Sequence, residues 1–288
     1  MTIIADSGST KTEWITQDRL SVITKGINPV RDTVEEIFHV IDSELMPGLF
    51  SLYCKEEKHD KETFISSVRE IQFYGAGCIE PFSESIHESL SQHFTNAGIQ
   101  VHSDLLGAAR ALCGHKEGIA CILGTGSNSC MCSYGRIERN ISPLGYILGD
   151  EGSGAVLGRT LVAEMLKGSL QAMWPEFSTR YNLSVTDIIN KVYRQPQANR
   201  FLASLVPFIK ENIHITAVRQ MVVNEFVRFL QRNVVPYGRP DLPVNFVGGI
   251  ANNFQEEICF ALHSCILKPG VFMARPAEAI LKYHKHVI

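Results

Sequence analysis

The segment TIIADSGSTKTEWIT, residues 2–16, carries the pattern that decides the fold. Its β-branched runs, Thr2 to Ala5 and Thr12 to Thr16, are typical of strands, and Ser7-Gly8-Ser9 between them is typical of a tight turn. A third run, Leu20 to Thr24, follows after a short polar break. The chain is therefore predicted to open with a meander of three antiparallel strands.

The same pattern returns near residue 118. Gly118 to Leu123 is a compact apolar run, Gly124-Thr125-Gly126-Ser127-Asn128 is a turn of small residues, and Ser129 to Tyr134 predicts a second strand. No repeat with a period of about 20–50 residues is visible. We therefore interpret the pattern as a duplication of two lobes.

Hydrophobic periodicity and capping signals predict further elements around these hairpins. They are a helix with its apolar stripe from Val30 to Leu45, a strand at Ile71 to Tyr74, a helix at about 81–96, a strand at Ile99 to His102, a helix at Leu105 to Leu112, a capping-box helix start at Ser184 to Asp187, a last strand at Val244 to Val247 and a final helix at Pro276 to His284.

Length and charge limit the classes of function. At 288 residues the chain is twice the ~150 expected of one domain, which agrees with two lobes and a cleft between them. Its 27 basic and 30 acidic side chains give a net charge of −3 without any block of like charge, so neither nucleic acid nor an anionic membrane is expected as a partner. Apolar runs fall far short of the ~18 residues that span a bilayer, and no signal-peptide pattern opens the sequence. We therefore expect a cytoplasmic protein.

The cysteines and histidines form no metal-binding motif. The eight cysteines show no CxxC, and several lie in apolar runs, which favours reduced core thiols over disulfides or a zinc site. The ten histidines show no HxxxH or HExxH. The cysteines are Cys54, Cys78, Cys113, Cys121, Cys130, Cys132, Cys259 and Cys265.

Three strand ends carry glycine beside hydroxyl or amide residues: Asp6 to Lys11, Gly124 to Asn128 and Gly248 to Asn253. Glycine lets backbone N–H groups approach phosphate oxygens, and hydroxyls donate to them, so such turns suit a polyphosphate. Each turn alone is more often an ordinary hairpin or helix start, and only their combination favours a nucleotide. The chain lacks GxxxxGK[ST], and residues 152–157 miss the last glycine of GxGxxG, so neither a Walker-type ATPase nor a dinucleotide enzyme is supported.

The motifs DSGSTKT at 6–12, GTGSN at 124–128 and VGG at 247–249 resemble the phosphate-1, phosphate-2 and adenosine motifs of the actin/hexokinase/Hsp70 ATPase superfamily. With GDEGS at 149–153, the chain most resembles the branch of N-acetylglucosamine kinases and BadF/BadG/BcrA/BcrD-type ATPases. The resemblance implies an α/β fold of two ribonuclease-H-like lobes, as in an actin-like ATPase domain. Each lobe would hold a mixed five-stranded sheet, and the cleft between them would close over ATP and substrate.

The predicted lobes are residues 1–107 and 108–275, with a C-terminal helix at about 276–288 that packs back on the first lobe. Carried onto this sequence, the resemblance also implies roles for single residues, with Asp6 holding Mg²⁺ through water. The residues implied to bind ATP are Ser9, Thr10, Lys11, Thr125, Gly126, Gly248, Gly249, Asn252 and Asn253. Those implied to bind the sugar are Asn28, Asp104, Asn128, Pro143, Leu144, Gly145 and Asp150.

Asp104 is the residue on which the kinase hypothesis depends. In the family, an aspartate between a strand and a helix accepts the proton of the sugar hydroxyl that attacks the γ-phosphate. Local sequence leaves open a helix N-cap formed by Asp104 or by its neighbour Ser103. The helix N-terminus is expected to keep Asp104 ionised, and a weak base suffices because phosphoryl transfer passes through a loose transition state.

The leading hypothesis is ATP-dependent phosphorylation of an N-acetylated amino sugar, first N-acetylglucosamine and second N-acetylmuramic acid. One alternative is an ATPase that activates a dehydratase or reductase through an iron–sulfur cluster shared between subunits. That class places a cysteine in the second phosphate loop, whereas Cys130 and Cys132 lie on the following strand. A second alternative is a sensor that binds ATP and sugar without transfer. The family also implies a homodimer, and Pro29 after Asn28 leaves the size of the substrate open.

Overall fold

The computed structural model describes residues 1–57 and 60–285. The Cys54 side chain and residues 286–288, which the sequence-based predictions include, lie outside the described part. The chain forms two compact units: unit 1 is Met1–Gly114 with the segment from Pro276 onward, and unit 2 is His115–Arg275. The helix at residues 104–113 lies wholly in unit 1. The predicted lobes, residues 1–107 and 108–275, stay predictions. No helix within the described ranges is long and apolar enough to cross a membrane.

The strands and helices are labelled in chain order. The strands are β1 (Thr2–Ser7), β2 (Lys11–Thr16), β3 (Ser21–Lys25), β4 (Glu70–Gly75), β5 (Gly98–Ser103), β6 (Gly118–Leu123), β7 (Ser127–Ser133), β8 (Arg136–Ile141), β9 (Pro243–Val247) and β10 (Lys268–Met273). The helices are α1 (Val34–Val40), α2 (Met46–Glu57), α3 (Lys61–Ser67), α4 (Ser83–His93), α5 (Asp104–Cys113), α6 (Gly145–Leu148), α7 (Gly154–Lys167), α8 (Trp174–Tyr181), α9 (Val185–Tyr193), α10 (Ala198–Ala203), α11 (Val206–Glu211), α12 (Thr216–Asn233), α13 (Gly249–Asn253), α14 (Gln255–Ser264) and α15 (Ala277–Lys285). A π-helical turn, Ile41–Leu45, joins α1 to α2.

Each unit contains one mixed five-stranded sheet. The strand order is β3-β2-β1-β4-β5 in unit 1 and, read from the matching edge, β8-β7-β6-β9-β10 in unit 2. β1 pairs antiparallel with β2 and parallel with β4. In the same way, β6 pairs antiparallel with β7 and parallel with β9. A three-stranded meander followed by two parallel strands therefore occurs twice. The predicted fold class and the predicted duplication are confirmed.

Alternating residues of β1 face two separate apolar layers of unit 1, because successive strand residues point to opposite faces. Ile3 and Ala5 are buried with Trp14 under the helices of the α1–α4 side, whereas Ile4 packs with residues of α15. Trp14 is fully buried, and its Nε1–H donates to Thr24 Oγ1 at 3.0 Å. Trp14 is therefore a packing residue of the β1–β2 hairpin.

Unit 2 is built around one large cluster that joins β6 and β9 to helices α7, α8, α11, α12 and α14. The predicted capping box at the start of α9 is present, with Ser184 and Asp187 bonded to each other's backbone N–H groups. This core fixes the ends of β6 and β9, from which the glycine-rich turns leave.

Several predicted boundaries were wrong. The first helix begins at Val34 and not near Val30, because Val30 lies in a turn and is 53% exposed. The strand predicted from Ser129 already begins at Ser127, so Asn128 lies on β7 and not in the turn. Val244 to Val247 is not the last strand either. The sequence pattern missed β8, which is a charged edge strand, and β10, which contains Pro269 and Gly270 where its register is irregular.

Candidate active site

The turn between β1 and β2 brings Asp6, Ser9, Thr10 and Lys11 to one end of the unit 1 sheet. The Gly8 N–H donates to the Lys11 carbonyl at 3.0 Å and closes the turn. The hydroxyls of Ser9 and Thr10 have no hydrogen-bond partner within residues 1–57 and 60–285. Backbone N–H and hydroxyl groups of this kind suit the oxygens of a bound anion.

Ser7 fixes the segment that carries Asn28 to this hairpin. Its Oγ donates to the Ile27 carbonyl at 2.9 Å and accepts from the Ile27 N–H at 3.0 Å. The Gly26 N–H donates to the Thr10 carbonyl at 3.1 Å, and a Cβ on Gly26 would lie 2.4 Å from the Gly8 carbonyl oxygen. Only glycine fits such a close approach, so these contacts hold Asn28 next to the turn.

Asp6 and Asp104 interact electrostatically in unit 1. Burial raises the pKa of Asp6 to about 7, the charges of Asp104 and Glu13 add to the rise, and Lys11 opposes it. Burial also raises the pKa of Asp104, against the hydrogen bond from the Leu105 N–H at 2.8 Å. Burial therefore outweighs the backbone hydrogen bonds at the start of the helix, and the expectation that Asp104 is ionised stays a prediction.

Ser103 is the residue that caps α5. Its side chain accepts from the Leu106 N–H at 3.3 Å, and its extended backbone is that of an N-cap. Asp104 is the first helical residue, and its Oδ1 accepts from the adjacent N–H of Leu105 at 2.8 Å. The alternative in which Asp104 serves as the N-cap is therefore wrong. Because Ser103 provides the cap, the Asp104 carboxylate is not used for capping.

Three glycine-rich segments meet in unit 2. The N–H groups of Gly154 and Ala155, at the start of α7, donate to the carbonyls of Gly124 and Thr125 at 2.8 and 3.1 Å. Gly248 has φ 120°, and a Cβ there would lie 2.3 Å from the Leu123 carbonyl oxygen. The predicted residues Thr125, Gly126, Gly248 and Gly249 are thereby gathered around one turn. The first α7 N–H groups are already used and are not free to bind a phosphate.

Asp150 faces this turn from the GDEGS loop. Its Oδ1 accepts from the Ser127 N–H at 3.3 Å, and a Cβ on Gly126 would lie 3.0 Å from its Oδ2. Burial raises the pKa of Asp150 to about 6, which the Ser127 N–H opposes. For Glu151, burial is outweighed by hydrogen bonds, including those from Arg232 at 2.9 Å and Asn233 at 3.1 Å, so its pKa lies below the usual range. The two neighbouring carboxylates therefore face different groups, and Glu151 holds the loop to α12.

The other residues implied to bind the sugar lie in or beside the same loop. Pro143 accepts from the Asp150 N–H at 2.9 Å, and Leu144 has a left-handed backbone and a side chain that is 62% exposed. The Gly145 carbonyl accepts from the Gly149 N–H at 2.7 Å. Asn128 Oδ1 accepts from the N–H of Ser129 and from the side chain of Asn140.

Two further observations bear on the predicted ligands. Asn252 and Asn253 are exposed near the end of α13, and their assignment to ATP stays a prediction. A surface depression of about 620 Å³ at α8 and α9 contains no predicted site residue, and its Ser184 and Asp187 are used in the α9 capping box. The described residues contain no group of three or more His, Cys, Asp or Glu that could hold a metal ion.

Sequence reasoning missed several residues that position the site. Ser7 and Gly26 act on Asn28 and on the hairpin turn through the contacts above. Gly77 was missed as well: it has φ +79°, and a Cβ there would lie 2.4 Å from Asn28 Oδ1. Ser7 could have been found from the sequence, because its hydroxyl lies inside the motif at residues 6–12. Gly77 could not, because its contact with Asn28 joins segments far apart in the chain.

The two repeated sheets and their glycine turns define the class of actin-like ATPase folds, and solved structures bear this out. The chain is 42% identical to a candidate N-acetylglucosamine kinase from Porphyromonas gingivalis, with 99% of each chain covered and a TM-score of 0.90. A second candidate N-acetylglucosamine kinase, from Chromobacterium violaceum, is 18% identical over 98% of each chain with a TM-score of 0.64. A non-polymerising mutant of MamK bound to AMPPNP is 11% identical, over 99% of this chain and 98% of that one, with a TM-score of 0.51.

The last two likenesses show the fold alone. The similarity to the Porphyromonas gingivalis protein is close enough to assign a family: the chain belongs to the N-acetylglucosamine kinase/BadF-type family of the actin/hexokinase/Hsp70 superfamily. The resemblance predicted from the motifs is confirmed. No protein-family model and no curated protein sequence matched the chain.

Proposed function

We propose that this protein is an ATP-dependent, Mg²⁺-dependent kinase that phosphorylates a hydroxyl of an N-acetylated amino sugar. N-acetylglucosamine is the first candidate substrate and N-acetylmuramic acid the second. The Asp104 carboxylate carries the proposal, because it begins α5 while Ser103 caps the helix, and burial raises its pKa. Family membership supports the same class of reaction.

In the proposed reaction Asp104 accepts the proton of the sugar hydroxyl. The hydroxyl oxygen attacks the γ-phosphorus, and the bond from that phosphorus to the ADP oxygen breaks. A raised pKa brings the Asp104 carboxylate closer to the working pH, where a general base is most effective. Little base strength is required, because positioning and charge neutralisation dominate phosphoryl transfer.

Each unit would contribute groups of its own to ATP. In unit 1, Ser9, Thr10 and Lys11 would bind the β- and γ-phosphates through hydroxyl, N–H and ammonium groups. In unit 2, the turn with Thr125 and Gly126 would bind phosphate, and the segments at 248–249 and 252–253 would flank the adenosine. Asn28, Asn128, Pro143–Gly145 and Asp150 would bind the sugar.

The residues around Asp6 fit Mg²⁺. Burial raises the pKa of Asp6, the charge of Asp104 adds to the rise, and Lys11 offsets it only in part. Mg²⁺ usually takes one or two carboxylates and keeps several waters, which matches a single Asp6 better than a closed set of protein ligands. When bound, the ion neutralises charge on the phosphates. Asp6 would hold it through water.

The test is an ADP-release assay on the full chain with a panel of amino sugars that includes muramyl sugars. Asp104→Asn is expected to lower kcat by about 10²–10⁴-fold, because a general base is removed. Ser103→Ala is the matched control: it is expected to cost about 1 kcal/mol of stability through the lost cap and to retain most of the turnover. Full turnover by the Asp104→Asn variant, or no ADP from wild type with any sugar, refutes the proposal.

The iron–sulfur alternative gains no support from the two cysteines on the strand after the second phosphate loop. Cys130 and Cys132 are buried on β7, and the Cys132 thiol donates to the Gly118 carbonyl at 3.4 Å. A cluster shared between subunits needs thiols at a surface. The sensor alternative predicts sugar-dependent stabilisation without ADP in the same assay. Homodimerisation and a cytoplasmic location stay predictions.

A further inference from the structure

Asn28 uses nearly all of its hydrogen-bonding groups within its own turn. Its backbone N–H donates to Asp32 Oδ2 at 2.8 Å, and its carbonyl accepts from the N–H groups of Arg31 and Asp32 at 3.0 and 2.8 Å. Its side-chain Oδ1 accepts from the Val30 N–H at 3.0 Å. Within residues 1–57 and 60–285, the side-chain NH₂ is the only polar group of Asn28 without a partner.

These contacts fix which way the Asn28 amide points. A backbone N–H can only donate, so the side-chain atom that faces Val30 must be the oxygen and not the nitrogen. A flipped amide would leave the Val30 N–H facing another donor. Asn28 therefore turns the two N–H donors of its side-chain NH₂ toward a ligand, while its Oδ1 already accepts from Val30.

Asp32 is the residue that holds this turn together. Its side chain is only 12% exposed, and it binds the Arg31 guanidinium through both oxygens, at 2.8 and 3.0 Å. Burial alone would raise the pKa of Asp32, but the hydrogen bonds from Arg31 and from the Asn28 N–H hold it below the usual range. The ionised carboxylate thus accepts three hydrogen bonds at the position where it anchors Asn28.

Gly77 leaves room for the amide on the other side. Since its Cβ position lies 2.4 Å from Asn28 Oδ1 and its φ is +79°, no other side chain fits while Asn28 keeps this orientation. Asp32 holds the backbone N–H of Asn28 and Gly77 lies against its side-chain Oδ1, so two separate parts of unit 1 position this residue.

We propose that Asp32 is a positioning residue for the sugar, holding Asn28 so that its NH₂ group donates to an acceptor oxygen of the substrate. The inference rests on the proposed function, in which Asn28 contacts the sugar. Asn128 shows the same arrangement in unit 2, because its Oδ1 is taken by the Ser129 N–H and by Asn140. In each unit, then, an asparagine that the resemblance assigns to the sugar has its Oδ1 engaged by a neighbouring N–H group.

The experiment compares steady-state kinetics of wild type with Asp32→Ala, Asp32→Asn and Glu36→Ala in the full chain. Glu36 is the matched control, because its carboxylate accepts from the Thr33 N–H at the start of α1 without touching Asn28. Asp32→Ala is expected to raise the KM for sugar about tenfold, the effect of one lost hydrogen bond, with kcat and the KM for ATP nearly unchanged. Asp32→Asn keeps an acceptor oxygen and is expected to recover much of the loss.

A second pair of variants tests the direction of the Asn28 hydrogen bond. Asn28→Asp keeps the oxygen that faces Val30 but replaces the NH₂ by a second acceptor, so it is expected to bind sugar more weakly than Asn28→Ala. If the sugar instead donates to Asn28, the order reverses and the donor assignment is overturned. Equal KM values for sugar in Asp32→Ala, Glu36→Ala and wild type overturn the role of Asp32.

Calorimetric binding of N-acetylglucosamine separates this inference from the proposed function. If wild type binds the sugar but releases no ADP, the kinase proposal fails while the affinities of the Asp32 variants still decide the inference. If wild type neither binds nor phosphorylates any amino sugar, both fail. Urea unfolding checks that each variant is folded, and Asp32→Asn decides the result if Asp32→Ala does not fold.

Discussion

Neutralising Asp6 by Asp6→Asn is expected to stabilise unit 1 while removing its proposed role toward Mg²⁺. Burial and the charge of Asp104 raise the pKa of Asp6 to about 7, from an ordinary value of 3.8. Each pH unit between the folded and unfolded pKa corresponds to about 1.4 kcal/mol. At pH 8 the ionised Asp6 carboxylate therefore lowers the free energy of unfolding of unit 1 by up to about 4 kcal/mol. Partial hydration of Asp6 reduces this effect to roughly 2–4 kcal/mol.

The sign of the pH dependence follows from the direction of the shift. Because folding raises the pKa of Asp6, the folded chain binds this proton more tightly than the unfolded chain does, and the contribution of Asp6 to stability falls as pH rises from 4 to 7. The amide introduced by Asp6→Asn does not titrate. The advantage of the variant should thus be full above pH 7, fall to about half near pH 5.5, and almost vanish at pH 4.

Tryptophan fluorescence during urea unfolding in EDTA provides the assay. Trp14 is buried in unit 1, and a Trp174→Phe background removes the tryptophan of unit 2. Asp18→Asn, at an exposed aspartate of the same unit, is the control and should leave the midpoint unchanged. An Asp6→Asn variant that is no more stable than wild type at pH 8, or whose advantage persists at pH 4, would refute the reasoning.

Three further perturbations test other contacts. Gly248→Ala should destabilise unit 2 by about 2 kcal/mol or more, measured by urea unfolding, because alanine tolerates neither φ 120° nor a carbonyl oxygen at 2.3 Å. Tyr74→Phe should lower thermal stability by about 1–3 kcal/mol, because the Tyr74 hydroxyl accepts from Arg110 and bonds His284 Nε2 at 2.8 Å. Burial lowers the pKa of His102 to about 4, so the contribution of His102 to stability is lost as pH falls from 6.5 through 4. The urea midpoint of His102→Gln should therefore fall less between pH 7 and pH 5 than that of wild type. An equal fall in both proteins would contradict this.

The parts of the site that sequence could predict are those whose signal is local. Turn and capping residues act over only a few positions, so a short stretch of sequence is enough to predict them. This holds for the turn at residues 6–11, the turn after Leu123 and the strand-to-helix junction at Asp104. The same holds for the meanders, in which consecutive strands pair.

Contacts between distant segments set the remainder. Ser7 binds Ile27 and Gly77 packs against Asn28, and no periodicity links those positions. Position 28 carried one unused signal: Asn28-Pro29 followed by Asp32 is typical of a turn, and it would have placed the helix start beyond Val30. Likewise, burial of Asp104 depends on its packing in unit 1, so its raised pKa could not be read from a helix N-terminus alone.

The position of α15 has a consequence for the order in which the chain can fold during synthesis. Unit 2 is contiguous and is complete once Arg275 has left the ribosome, whereas unit 1 lacks one wall until α15 follows. Until then Ile4, Ile15 and Tyr74, which α15 covers, remain open to water on that side. β1 is therefore made before unit 2 but belongs to the unit that is completed later. A nascent chain stalled before residue 276 would expose an apolar sheet face to proteases and chaperones.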